Sequence, residues 1–258
     1  MPYVSIDRAR FYYELKGAGP SVVLIHGLGG DHTGYDGPVK EFFVKHHRVL
    51  TMDLRGHGRS SRMGSTYSTT LFARDVSAVM TKLKLGPAIV IGISMGGAVA
   101  MKLAVRSPHY VVKLVLFNTW VRCDESVRAF FMEWKALSGY DNQALRDVVL
   151  IRTATPQFVQ ANPKFVALFN QQWPSASGAA FRKACDACAE HDATGDLARV
   201  PAPTLVLAGS CDILVPPRYA RDVARRVPYA SLKVIQGGGH VPWLDQPHAC
   251  IRALQRFL

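Results

Sequence analysis

The sequence predicts an α/β protein built on a mostly parallel sheet with helices on both faces, interrupted once by a helical insertion. Three observations lead there. Short β-branched or aliphatic runs bounded by Gly, Pro or Asp recur along the chain. Longer stretches with helical apolar spacing separate most of them. The runs are apolar on both faces, as strands of a sheet covered on both sides must be.

In order, the runs lie at 11–15, 22–26, 48–53, 88–93, 113–117, 204–208 and 231–235. Leu71, Val76, Val79, Met80 and Leu83 mark one intervening helix, and Val99, Leu103 and Ala104 another. After Phe117 the alternation stops. From 122 to 197 the chain holds only helical stretches rich in large side chains, cut into short pieces by Pro156, Pro163 and Pro174. The strand pattern resumes after Pro201-Ala202-Pro203. A core of 1–121 and 198–258, with 122–197 inserted as a helical lid, is the simplest organisation.

Composition narrows the function classes. With 48% hydrophobic and 19% charged residues in 258, the chain is neither disordered nor fibrous. The formal charge of +12 is spread along both halves instead of being gathered into a block, which argues against nucleic acid as a partner. Arg218, Arg221, Arg225 and Arg226 recur at helical spacing, as on the wet face of an amphipathic helix. No apolar run is long enough to span a membrane and the first residues carry no leader pattern, so a cytoplasmic location without membrane contact is expected. The five cysteines (Cys123, Cys185, Cys188, Cys211, Cys250) are expected as thiols. Cys185 and Cys188 have zinc-like spacing but no second ligand pair, and no metal or organic cofactor is implied.

In an open parallel sheet, function gathers in the loops at the carboxyl ends of the strands. Gly92-Ile93-Ser94-Met95-Gly96-Gly97 follows a buried run and opens a helix. A serine on so sharp a turn needs very small neighbours two positions to either side, and Gly92 and Gly96 supply them. A hydroxyl becomes a good nucleophile only when a base takes its proton and a third group fixes the base. His240, on Gly237-Gly238-Gly239, is the candidate base, and Asp212, after 204–208, the candidate acid; Asp124 or Glu125 is the alternative acid. His26-Gly27-Leu28-Gly29-Gly30-Asp31 follows 22–25 and offers backbone donors for an oxyanion, assigned to the N–H groups of Leu28 and Met95. A dinucleotide fingerprint starting at Gly27 fails because its third glycine position is His32. His26, His57 and His191 have structural readings.

These residues together resemble the α/β-hydrolase superfamily. The resemblance rests on His26-Gly27, on Asp53-Leu54-Arg55-Gly56-His57-Gly58-Arg59-Ser60, on Gly92 to Gly97, and on Asp212 and His240. It implies an α/β-hydrolase fold whose mostly parallel sheet has eight strands, with the lid after the sixth, and a structural role for the Asp53–Ser60 turn. Within the superfamily, Ser94 stands where dehalogenases and epoxide hydrolases have Asp. Ile93 stands where meta-cleavage carbon-carbon hydrolases usually have Asn. The second half of the chain is similar to 3-oxoadipate enol-lactonase-like and aminoacrylate-hydrolase-like proteins.

The expected activity is hydrolysis of a small or medium carboxylic ester or lactone through an acyl-enzyme on Ser94. Carbon-carbon or amide hydrolysis with the same triad is the alternative, and a ligand sensor with little turnover the alternative of another class. Phe131, Trp134, Phe169, Trp173 and Trp243 are the expected pocket lining. The expected partner is the small-molecule substrate alone.

Overall fold

The computed structural model describes residues 2–140, 142–172 and 178–258. Eight strands form one sheet: β1 (Tyr3–Ile6), β2 (Ala9–Lys16), β3 (Ser21–Ile25), β4 (Arg48–Met52), β5 (Ala88–Ile93), β6 (Val111–Phe117), β7 (Thr204–Gly209) and β8 (Ala230–Ile235). Their spatial order is β1-β2-β4-β3-β5-β6-β7-β8. β1 pairs antiparallel with β2, and β2 with β4; every later pairing is parallel.

Side-chain alternation divides the apolar residues of the central strands between two cores. Val23 and Ile25 of β3 face the helices α2 (Thr69–Lys82) and α3 (Met95–Arg106), where Phe72, Val76, Val99 and Leu103 meet them. Val22 and Leu24 face α1 (Pro38–Val44) and α11 (Pro247–Phe257), against Val39, Phe43, Cys250 and Leu254. Helix α9 (Pro217–Arg226) buries Tyr219, Ala220 and Val223 and leaves Arg221, Arg225 and Arg226 in solvent, with Asp222 pairing the last two. β1 is the strand that the sequence pattern does not reveal. It is four residues long, lies at the sheet edge and has no continuous apolar run.

Between β6 and β7 the described residues form the α-helices α4 (Glu125–Leu137), α5 (Asn142–Thr153), α6 (Pro156–Ala161), α7 (Pro163–Gln172) and α8 (Ala179–Ala189). Pro156 and Pro163 open α6 and α7 at the first helical position, where a missing N–H costs nothing. A bridge between Arg122 and Asp192 closes the neck of this segment. α10 (Pro242–Asp245) follows β8 and precedes α11. Among the described residues no helix is long and apolar enough to cross a membrane.

Candidate active site

Ser94 sits between β5 and α3 with φ 54° and ψ −121°, a conformation that L-residues avoid. Sterics explain the glycines around it. A Cβ on Gly92 would lie 2.2 Å from the Gly96 carbonyl oxygen, and one on Gly96 only 2.1 Å from the Ile25 oxygen. Neighbouring chain over-determines the turn: Ser94 N–H donates to the Phe117 carbonyl at 2.9 Å, and Thr119 Oγ1 donates to the Ser94 carbonyl at 2.9 Å.

Asp212 follows β7. Its Oδ1 accepts the N–H groups of Leu214 and Val215, each at 2.9 Å, and Oδ2 lies 2.8 Å from His240 Nδ1. A carboxylate only accepts, so Nδ1 of His240 carries the proton and Nε2 keeps its lone pair. The other candidate acid is engaged elsewhere. Asp124 caps α4 through the Val127 N–H and accepts from Tyr219 Oη, with Arg218 nearby. Glu125 lies in the first turn of α4.

Two polar residues that sequence reasoning missed hold the His240 loop. Asn118, in the left-handed region at φ 44°, donates from Nδ2 to the carbonyls of Gly239 and His240, each at 2.9 Å, and accepts the Gly209 N–H at 3.0 Å. One buried amide therefore joins the ends of β6 and β7 to the loop after β8. Asp245 accepts the Gly239 N–H at 2.8 Å and the Thr155 hydroxyl at 2.5 Å. The signal for Asn118 was its place just past a strand's carboxyl end; nothing local marks Asp245.

The glycine-rich turn after β3 is shaped by His26. Its Nε2 accepts the Leu54 N–H at 3.0 Å, so Nδ1 carries the proton and donates to the Gly27 carbonyl at 2.8 Å. That carbonyl also accepts the Gly30 N–H, and Gly29 between them has φ 74°, a value glycine adopts without strain. Burial lowers the His26 pKa and keeps the ring neutral. The turn lies against the serine: a Cβ on Gly27 would be 3.5 Å from Ser94 Cβ. Leu28 is in this turn, and Met95 is the first residue of α3, where an N–H has no partner within its own helix.

A cavity of about 270 Å³ lies between this turn, the Ser94 and His240 loops, and helices α4, α5 and α7. Ser94 and His240 both line it, as do Leu28, Trp134, Phe169 and Trp243. Trp243 stacks on Tyr35 with ring centroids 4.9 Å apart. Phe131 is not among the lining residues: its side of α4 faces the interior, fully buried, with its ring 5.1 Å from Trp120. Trp173 lies outside the described residues.

The remaining histidines and the Asp53 turn are tied into the scaffold. His57 Nδ1 donates to the Arg55 carbonyl, and His191 Nδ1 bonds the Thr69 hydroxyl; burial pushes both rings down to about 3. Asp53 accepts the N–H groups of His32 and Arg59 and the His32 ring, all at 2.7 Å. Burial raises its pKa, but these bonds outweigh it and the net shift is downward. Asp31, His32 and Asp53 are the described residues close enough together to offer a metal three ligand atoms. The direct His32–Asp53 bond already occupies two of the three.

The chain matches the model of the alpha/beta hydrolase family over residues 22–253. It is 31% identical to a protein named putative carbamate hydrolase RutD from Caulobacter sp. (strain K31), over 96% of this chain and 95% of that one. Its structure superposes on the enol-lactonase from Burkholderia xenovorans LB400 with TM-score 0.92 and 25% identity, covering 99% of each chain. It also superposes on a putative non-heme bromoperoxidase, BpoC, from Mycobacterium tuberculosis H37Rv, with TM-score 0.86 and 27% identity over 96% and 94% of the two chains. The eight-stranded sheet, the strained serine turn and these similarities lead to one conclusion: the chain belongs to the alpha/beta hydrolase family.

Proposed function

We propose that this hydrolase cleaves a small or medium carboxylic ester or lactone through an acyl-enzyme on Ser94. The observation that carries the reading is the 2.8 Å contact between His240 Nδ1 and Asp212, with His240 lining the same cavity as the strained Ser94. Ser94 Oγ adds to the substrate carbonyl carbon while its proton passes to His240 Nε2. Asp212 keeps the ring in the tautomer this needs and stabilises the imidazolium that forms. The N–H groups of Leu28 and Met95 receive the oxyanion. Collapse of the tetrahedral adduct breaks the ester bond, and Nε2 returns its proton to the leaving oxygen. Water, deprotonated by Nε2, then repeats the addition at the acyl carbon, releasing the acid and free Ser94. For a lactone the leaving oxygen remains part of the product.

The similarity to an enol-lactonase and to a putative carbamate hydrolase supports acyl transfer at a carbonyl. Ile93, an apolar side chain lining the cavity beside Ser94, favours an oxygen leaving group over carbon, because a carbon leaving group also needs a polar partner for substrate protonation. The test is kcat/KM on short-chain p-nitrophenyl esters and small lactones beside vinylogous 1,5-diketones, with wild type and Ser94→Ala. The expected result is clear ester or lactone turnover, much weaker diketone cleavage, and loss of both in the variant. A tenfold preference for the diketone, or Ser94→Ala activity above about a hundredth of wild type, contradicts the reading.

A further inference from the structure

We infer that the cavity beside Ser94 selects substrates that carry no carboxylate besides the reacting carbonyl, because its described lining carries negative charge and no lysine or arginine to pair an anion away from the oxyanion site. The inference rests on the hydrolase reading for its substrate and names the charge class.

The charged residues lining the cavity, among those described, are Asp31 and Asp36, at the end formed by the glycine-rich turn. Asp36 is neutralised by Lys40, whose Nζ lies 2.6 Å away and also 3.2 Å from Glu14, so this lysine is already held between two carboxylates. Asp31 has no such cation. Its Oδ1 accepts the Thr33 N–H at 2.8 Å and the Thr33 hydroxyl at 2.6 Å, which fix the carboxylate without cancelling its charge. The neighbouring His32 ring is bound to Asp53 at 2.7 Å, against 4.0 Å to Asp31.

Apart from the His240 ring, which Asp212 holds at 2.8 Å, no basic side chain on the described elements around the cavity is free to compensate. On α5, Arg152 pairs with Glu133 at 2.8 Å and Arg146 bonds Gln143. On α4, Lys135 pairs with Asp186 at 2.6 Å and Arg128 reaches the Ala189 carbonyl. Lys164 of α7 is exposed and is not a lining residue. His26 is held neutral by burial. Residues 170–177, Asn-Gln-Gln-Trp-Pro-Ser-Ala-Ser, contain no charged residue and can add no cation wherever they lie. The remaining walls, including Trp134, Leu150, Phe165 and Trp243, are apolar. A second carboxylate entering this space, with the ester group already on the oxyanion donors, loses hydration, finds no lysine or arginine to pair with and meets the field of Asp31. A protein of formal charge +12 thus presents the opposite sign at its candidate site.

The test uses two esters of matched shape, ethyl 4-methylpentanoate and ethyl hydrogen succinate, which differ in carrying an isopropyl group or a carboxylate. Their kcat/KM is measured on wild type, and their Kd on Ser94→Ala, which binds without cleaving. The neutral ester should be favoured by about tenfold or more in both measurements. Equal or better use of the succinate ester overturns the inference. If wild type cleaves neither ester while Ser94→Ala still binds the neutral one preferentially, the charge selection stands and the hydrolase reading falls. In Asp31→Asn the ratio between the two esters should narrow severalfold, and raising the salt concentration should narrow it in wild type but little in the variant. A ratio indifferent to both changes overturns the assignment to Asp31.

Discussion

Thr155 and Asp245 share a 2.5 Å hydrogen bond across ninety residues of chain, and through it the inserted helices are fastened to the loop that carries His240. Thr155 caps α6, and the second oxygen of Asp245 holds the N–H of Gly239, the residue before His240. The Val241 N–H donates to the Thr153 carbonyl at 3.2 Å, so the loop is gripped on both sides of the histidine. Helices that cover the cavity and the His240 side chain that lines it are thereby parts of one hydrogen-bonded unit.

Asp245→Asn is therefore expected to lower kcat more than it raises KM, by about tenfold, since a small displacement of a catalytic group is costly. Thr155→Val should follow in the same direction and more weakly. Steady-state kinetics with a thermal melt on each variant checks this; unchanged kcat in a folded Asp245→Asn protein would mean that the link serves folding alone.

Asn118→Ala should destabilise the protein by about 2–4 kcal/mol, because it strands the Gly239 and His240 carbonyls and the Gly209 N–H away from water. Asn118→Asp, which offers two acceptors to two carbonyls, should be no better. Denaturant unfolding reads both, and a loss below about 0.5 kcal/mol would show that these groups find other partners.

Asp212→Asn is expected to cost several orders of magnitude in kcat, since an amide facing Nδ1 favours the wrong tautomer at His240. Asp124→Asn should instead shift stability slightly and leave turnover within a few-fold, because Asp124 contacts Val127, Tyr219 and Arg218. Equal losses in kcat at the two positions would contradict the assignment.

The loops bearing Ser94, Asp212 and His240 were legible because their signals are local. The glycine spacing Gly92-x-Ser94-x-Gly96 can be read within five residues, although only Gly92 answers a clash inside the turn and Gly96 makes room for Ile25 of β3, and each candidate follows an apolar run that forms a strand. Asn118 is marked in the sequence only by its place just past a strand and Asp245 by nothing local, since both act on partners brought near by sheet order. Phe131 and Trp134 show another limit. Both lie on one amphipathic helix, and only tertiary packing decides that Trp134 reaches the cavity while Phe131 packs on Trp120. β1 escaped notice for want of an apolar run.

Two buried histidines give stability a pH dependence of definite sign. His57 and His191 titrate near 3 in the folded protein, because burial disfavours the charged ring, against about 6.5 unfolded. Between these values the unfolded chain binds more protons, so stability present above pH 6.5 is lost as pH falls toward 3, by about 1.4 kcal/mol per pH unit for each ring. His57→Asn, whose amide can still donate to the Arg55 carbonyl, should flatten that dependence. Unfolding free energies at several pH values between 4 and 7 test it; an unchanged slope in the variant would assign the effect to other groups.

In the proposed reaction Ser94 carries the acyl group. The direct measurement is mass spectrometry of protein acid-quenched during turnover of a p-nitrophenyl ester, followed by peptide mapping. A single acyl adduct is expected on the peptide containing Ser94, absent from Ser94→Ala and accumulating in His240→Ala if any acylation survives there. Turnover by a protein that stays unmodified throughout, or an adduct on another residue, would contradict it.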